Sequence, residues 1–152
     1  DGSTATVVYA TGDGRVYFAN AGDSRSVLYD GATGRVVYAT RDHKPDDGAE
    51  RARIKRAGGF VTDRGRVQGV LALTRSLGDV SLQPVVTYVP DLHVEHLATS
   101  GTATHVLLLA CDGVFDVLTN DDCWRIIARS HSATDAAVRI KDAAFGLDSK
   151  DN

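Results

Sequence analysis

The chain has 152 residues, is 43% hydrophobic and 24% charged, and so has an ordinary globular composition within the size of one domain. No apolar stretch approaches the length of a membrane span and no secretory signal pattern is present, so neither a membrane partner nor a secreted protein is expected, and the expected setting is cytoplasmic and/or nuclear. A net charge of −3 argues against general nucleic-acid binding.

Thr4 to Ala10, rich in Thr, Val and Tyr, predicts a strand. Gly12-Asp13-Gly14 turns it into a second strand, Arg15 to Asn20. Ala21-Gly22-Asp23 and Gly31 to Gly34 make further turns around strands Ser24 to Tyr29 and Arg35 to Ala39. Four strands with short links predict an antiparallel meander. A helix opens at Pro45-Asp46-Asp47, with Asp47 and Glu50 spaced as a capping box, and closes at Gly58-Gly59. Phe60 to Thr62, Arg66 to Gln68 and Val85 to Tyr88 read as short strands, and Leu71 to Leu77 as one or two helical turns. Leu92 to Leu97 alternates like a strand. His105 to Ala110 is a nearly unbroken apolar run, read as a strand buried on both faces. Two amphipathic helices finish the chain. Asn120 is the expected cap of the first, whose stripe is Trp124, Ile127 and Ala128. Ser132 with Asp135 caps the second, whose stripe is Ala133, Ala137, Ile140, Ala144 and Leu147. Strands followed by helices predict an α+β fold.

The apolar run ends in Asp112-Gly113-Val114-Phe115-Asp116. Carboxylates at the end of a dry strand need compensation, and Mg²⁺ or Mn²⁺, which prefer oxygen ligands, supply it naturally. Cys111 and Cys123 lack CxxC spacing and read as reduced, mostly buried thiols, while the five histidines form no zinc motif. The segment Arg41 to Arg66 holds eight basic and five acidic side chains and the remainder nine and fifteen, a basic region on an acidic body. Such a region could greet an anionic substrate, although a solvated helix of mixed charge is the plainer reading. The chain contains no methionine and opens in strand-like text, so it reads as a segment of a longer protein.

Seven phrases then follow one another. They are Gly2-Ser3-Thr4-Ala5; Ala19-Asn20-Ala21-Gly22-Asp23-Ser24-Arg25; Asp42-His43-Lys44-Pro45; Ala57-Gly58-Gly59; Gly69-Val70-Leu71-Ala72-Leu73-Thr74-Arg75-Ser76-Leu77-Gly78-Asp79; Ala110-Cys111-Asp112-Gly113; and Ser149-Lys150-Asp151-Asn152. In this order the chain closely resembles the metal-dependent protein serine/threonine phosphatases of type 2C. The resemblance implies a partial catalytic domain over residues 1–152, a sandwich of two antiparallel β-sheets flanked by helices, and a flap-like segment at about 43–68. It implies a phosphorylated protein substrate and two catalytic Mg²⁺ or Mn²⁺ ions activating a water against phosphoserine or phosphothreonine. Asp112 and Asp151 match the family's ligands of one ion, Asp23 matches a ligand of a third ion, and Asp116 would act nearby through water. Alternatively, Asp23 closes its own turn and Asp116 caps a short helix. Arg51, Lys55 and Arg64 are candidate substrate contacts in the flap, and Arg75 with Asp79 reads as an internal ion pair.

The family's early phrases, among them a bridging Asp-Gly-His-Gly, are not in these residues. The expectation is a chain that is inactive alone and whose open sheet edges need the missing part of the domain or another chain. The alternative function is a non-catalytic, phosphatase-like interaction module. Phe115 stands where the family has tryptophan, Gln68 where Asn is usual, and Asp148 where Gly is frequent.

Overall fold

The computed structural model describes residues 1–98 and 104–151; Asn152, the last residue of the terminal phrase, lies outside them. In chain order the strands are β1 (Gly2–Ser3), β2 (Ala5–Ala10), β3 (Arg15–Ala21), β4 (Arg25–Asp30), β5 (Val36–Ala39), β6 (Leu77–Gly78), β7 (Asp91–His96) and β8 (His105–Ala110). The helices are α1 (Gly48–Arg56), α2 (Asp112–Phe115), α3 (Asn120–Ile127) and α4 (Ala133–Gly146). The class is α+β, with antiparallel sheets and helices in separate runs.

The chain divides into two compact units, Asp1–Ser24 with Thr40–His96, and Arg25–Ala39 with Leu97–Asn152. The first four long strands are therefore not the meander expected. They form two hairpins in two sheets, one ordered β2-β3-β7 and the other β5-β4-β8. The division falls at the Ala21-Gly22-Asp23-Ser24 turn, where Gly22 has φ +113° and a Cβ would overlap the Thr4 side chain. Only glycine meets both demands at low cost.

In the first unit, β3 is the central strand and buries Val16, Phe18 and Asn20 on one face. Helix α1 sets Ile54 into a small core with Val67, Val85 and Val86. Asp47 caps α1 by accepting from the amides of Ala49 and Glu50. Glu50 does not complete a capping box; its carboxylate is recruited into a buried network described below. The expected strands at 60–62, 66–68 and 85–88 reduce to isolated bridges, Val61 with Val67 and Arg75 with Thr87. Residues 71–77 form no helix: a bridge from Leu71 and the short β6 occupy that stretch. Gly69 and Gly78, both at positive φ, punctuate it more strongly than the apolar pattern suggests.

In the second unit, β4 is central and buries Val27, Leu28 and Tyr29. Helices α3 and α4 close a core of Val27, Tyr29, Phe115, Leu118, Cys123, Ile140 and Ala144. The β8 strand is not buried on both faces. Val106, Leu108 and Ala110 pack on the core, whereas Leu107 and Leu109 are 41% and 43% exposed. The cap of α3 is Thr119 rather than Asn120: Thr119 and Asp122 exchange side-chain and backbone hydrogen bonds in a full capping box. The buried stripe of α4 is Ala136, Ile140 and Ala144, so Ala133, Ala137 and Leu147 lie off the core face.

Candidate metal centre

Antiparallel register brings Ala110, at the end of β8, opposite Arg25. One residue later Cys111 is still extended, and Asp112 enters the first turn of α2. The other contributor arrives from the far end of the chain. After α4, the amides of Asp148 and Ser149 bond back to the carbonyls of Phe145 and Ala144. Asp148 takes φ +66°, the left-handed conformation that suits the glycine frequent at this place in the resembling family. The turned segment is pinned by Ser149, whose hydroxyl donates to the Gly113 carbonyl at 2.7 Å. Asp151 then lies so close to α2 that a Cβ on Gly113 would stand 2.5 Å from the Asp151 Cβ and 2.8 Å from its Oδ2.

Asp112, Asp151 and Cys111 thereby each offer a ligand atom, all within 4.8 Å of one another. The Cys111 thiol donates to Asp151 Oδ2 at 3.2 Å. Partial desolvation and then this hydrogen bond push its pKa up, so the sulfur remains a neutral donor. Cys111 is exposed, not buried as the sequence suggested, whereas Cys123 is fully buried. Two carboxylates with a neutral thiol form an oxygen-dominated donor set, and hard divalent cations fit it. A cleft of about 350 Å³ opens here, lined by Asp112, Gly113, Asp116, Asp148, Lys150 and Asp151 among others. Asp116 is exposed at the C-terminal cap of α2, its amide bonding to the Asp112 carbonyl. Asp23 belongs to the other unit and is 5% exposed, next to Gly22. The sequence reading missed Cys111 and Ser149 as parts of this site. Adjacency to Asp112 was a signal for Cys111, but an apolar run gave no reason to expose it.

In the first unit the segment around α1 is held by buried charge. Glu50, 1% exposed, accepts from Arg53, from the Thr74 hydroxyl at 2.6 Å and from Arg75 at 2.6 Å. Arg75 also donates to Asp91 at 2.7 Å and to the Val89 carbonyl. Arg75 is thus not the partner of Asp79, which instead accepts from Ser76. Burial pushes the Glu50 carboxyl up, but hydrogen bonds from Arg75, Thr74 and Arg53 outweigh it and hold the group at about 2. His43 is fully buried and its Nδ1 accepts from the Gly22 amide at 3.1 Å, which places the ring proton on Nε2. Nε2 is 3.2 Å from Asp91 Oδ2, out of line for a good hydrogen bond. Burial, the largest influence, lowers the His43 pKa, although Asp91 opposes it.

The family model "Protein phosphatase 2C" matches residues 1–152. The chain is 39% identical to Probable protein phosphatase 2C 45 of Oryza sativa subsp. japonica, over 99% of this chain and 52% of the relative. It is 40% identical to Probable protein phosphatase 2C 59 of Arabidopsis thaliana, over 99% of this chain and 47% of the relative. Among solved structures, a sex-determining protein of C. elegans aligns with a TM-score of 0.84 and 30% identity, over 99% of this chain and 38% of that one. A phosphatase from a pathogenic strain of Toxoplasma gondii aligns with a TM-score of 0.74 and 34% identity, over 90% and 45%. These likenesses carry the α+β sandwich class of the sequence reading. The chain spans about half the length of the curated relatives it matches. On the match along its whole length, this chain belongs to the protein phosphatase 2C family.

Proposed function

We propose that this chain is part of a metal-dependent protein serine/threonine phosphatase, in which Asp112 and Asp151 together hold one Mg²⁺ or Mn²⁺ ion. The observation that supports it most is the gathering of ligand atoms from Cys111 and Asp112 with Asp151, at the far end of the chain, within 4.8 Å. Two close carboxylates repel unless a cation or a proton joins them. A pair of divalent ions, when bound, would lower the pKa of a water and clamp the phosphoryl oxygens. The chain's own residues prepare that place. Gly113 leaves room for Asp151, Ser149 ties the terminal turn to α2, and Cys111 orients the Asp151 carboxylate. Asp116 lines the same cleft, which supports a role through water; for Asp23 at a third ion, the family resemblance is the support.

The substrate class proposed is a phosphorylated protein. The bridging Asp-Gly-His-Gly phrase is not among these 152 residues, so this polypeptide alone is proposed to bind an ion yet hydrolyse phosphopeptide poorly. Isothermal titration with Mn²⁺ tests the site. Asp112→Ala should abolish binding, and Gly113→Ala, by displacing Asp151, should weaken it about tenfold or more. Equal affinity in wild type and Asp112→Ala would remove the metal site. Brisk Mn²⁺-dependent phosphopeptide hydrolysis by this chain would instead remove only the claim of inactivity.

A further inference from the structure

We propose that the groove beside α1, between that helix and residues 59–61, docks a protein segment that combines acidic side chains with one large apolar side chain. The groove measures about 400 Å³ and is lined by Arg51, Ala52, Ile54, Lys55, Gly59, Phe60 and Val61. This is the size of a pocket that admits a side chain or small ligand. Its chemistry is two-fold. Ile54 and Val61 supply apolar wall, and Phe60 is left 58% exposed beside them, an aromatic surface without cover. Arg51 and Lys55 stand one helical turn apart on the same face, like charges that disfavour each other.

No carboxylate lines the groove. Neither the Arg51 guanidinium nor the Lys55 ammonium has a hydrogen-bond or ion-pair partner among the described residues. The acids of α1 and its cap are engaged elsewhere: Glu50 is buried against Arg53 and Arg75, and Asp47 caps α1 and faces Arg41 at 3.4 Å. An anionic partner therefore meets cations with no carboxylate in the groove lining to compete, next to an apolar floor that a purely polyanionic ligand leaves unused. The groove is also built before any partner arrives. Arg53 ties α1 to the Val85 and Thr74 carbonyls, and Gly59 packs so tightly on Val85 that a Cβ there would overlap it.

Fluorescence anisotropy on the full chain in EDTA, with a labelled Asp-Glu-Phe-Asp-Glu peptide, tests this without any contribution from the metal centre. The expected result is saturable binding that falls about tenfold or more in the double variant Arg51→Glu, Lys55→Glu, and clearly in Phe60→Ser. All three positions are exposed, so circular dichroism should show the fold unchanged. The proposal is overturned by any of four outcomes: no binding to wild type, equal binding by the charge-reversed variant, equal binding of a peptide with Ser in place of Phe, or equal competition by an RNA oligonucleotide of the same charge.

Discussion

Glu50 and His43 show how single buried groups set the acid limit of the first unit. The Glu50 carboxyl sits at about 2, below its ordinary 4.5. Its contribution to stability is present above the ordinary value and is lost as pH falls from 4.5 toward 2. The His43 imidazole is depressed below its ordinary 6.5, so the unfolded chain binds the extra proton first. Its contribution is present above 6.5 and declines as pH falls below it. Urea midpoints should therefore drop in two stages, first on passing from neutral pH below 6.5 and again below 4.5. His43→Asn keeps an acceptor for the Gly22 amide and cannot titrate, so it should flatten the first stage and leave the second. A first stage unchanged by that substitution would mean that another group causes it. The sequence showed Glu50 only as a capping-box partner. Arg53 lies one turn along the same helix, but the contacts with Thr74 and Arg75 depend on a tertiary approach that spacing along one helix does not encode.

At the level of elements, caps and turns decided more than apolar runs. Thr119 starts α3 because it can form the reciprocal pair with Asp122, whereas Asn120 is already inside the helix. Thr119→Ala should cost about 1 kcal/mol in urea denaturation and Asn120→Ala considerably less for the capping term. The hairpins, α1 and α4 were legible because turn residues and N-cap side chains bracket them at the right distances. The stretch from 59 to 90 was not legible. Its isolated bridges join single residue pairs within the stretch rather than runs of alternating residues, and positive-φ backbone at Gln68, Gly69, Gly78 and Asp79 breaks any local period. The central role of β4 was equally hidden, since alternation shows that a strand has two faces but not which strand it pairs with.

For the whole molecule, the described residues leave apolar sheet surface uncovered. Leu107 and Leu109 on β8, Leu92 and Val94 on β7, and Val7 and Tyr9 on β2 are each 39% to 76% exposed. All three strands are edges of their sheets among the described residues. Exposed apolar edges template association. Light scattering of the 152-residue chain should show mass rising with concentration, and Leu107→Lys with Leu109→Lys should suppress it. A strict monomer at high concentration would contradict this. The pairing of Asp112 with Asp151 was legible from ordered phrases rather than from any property of either residue alone. What the phrases could not convey was the means: a left-handed Asp148, a hydroxyl from Ser149 and the bare Cα of Gly113.

The double tie of Glu50 to Thr74 and Arg75 has a kinetic corollary. A helix riveted at its inner face surrenders little backbone freedom when something settles on its outer face. Discrimination among visitors to that face would then reside in how long each one stays, with arrival rates differing mainly through charge and ionic strength.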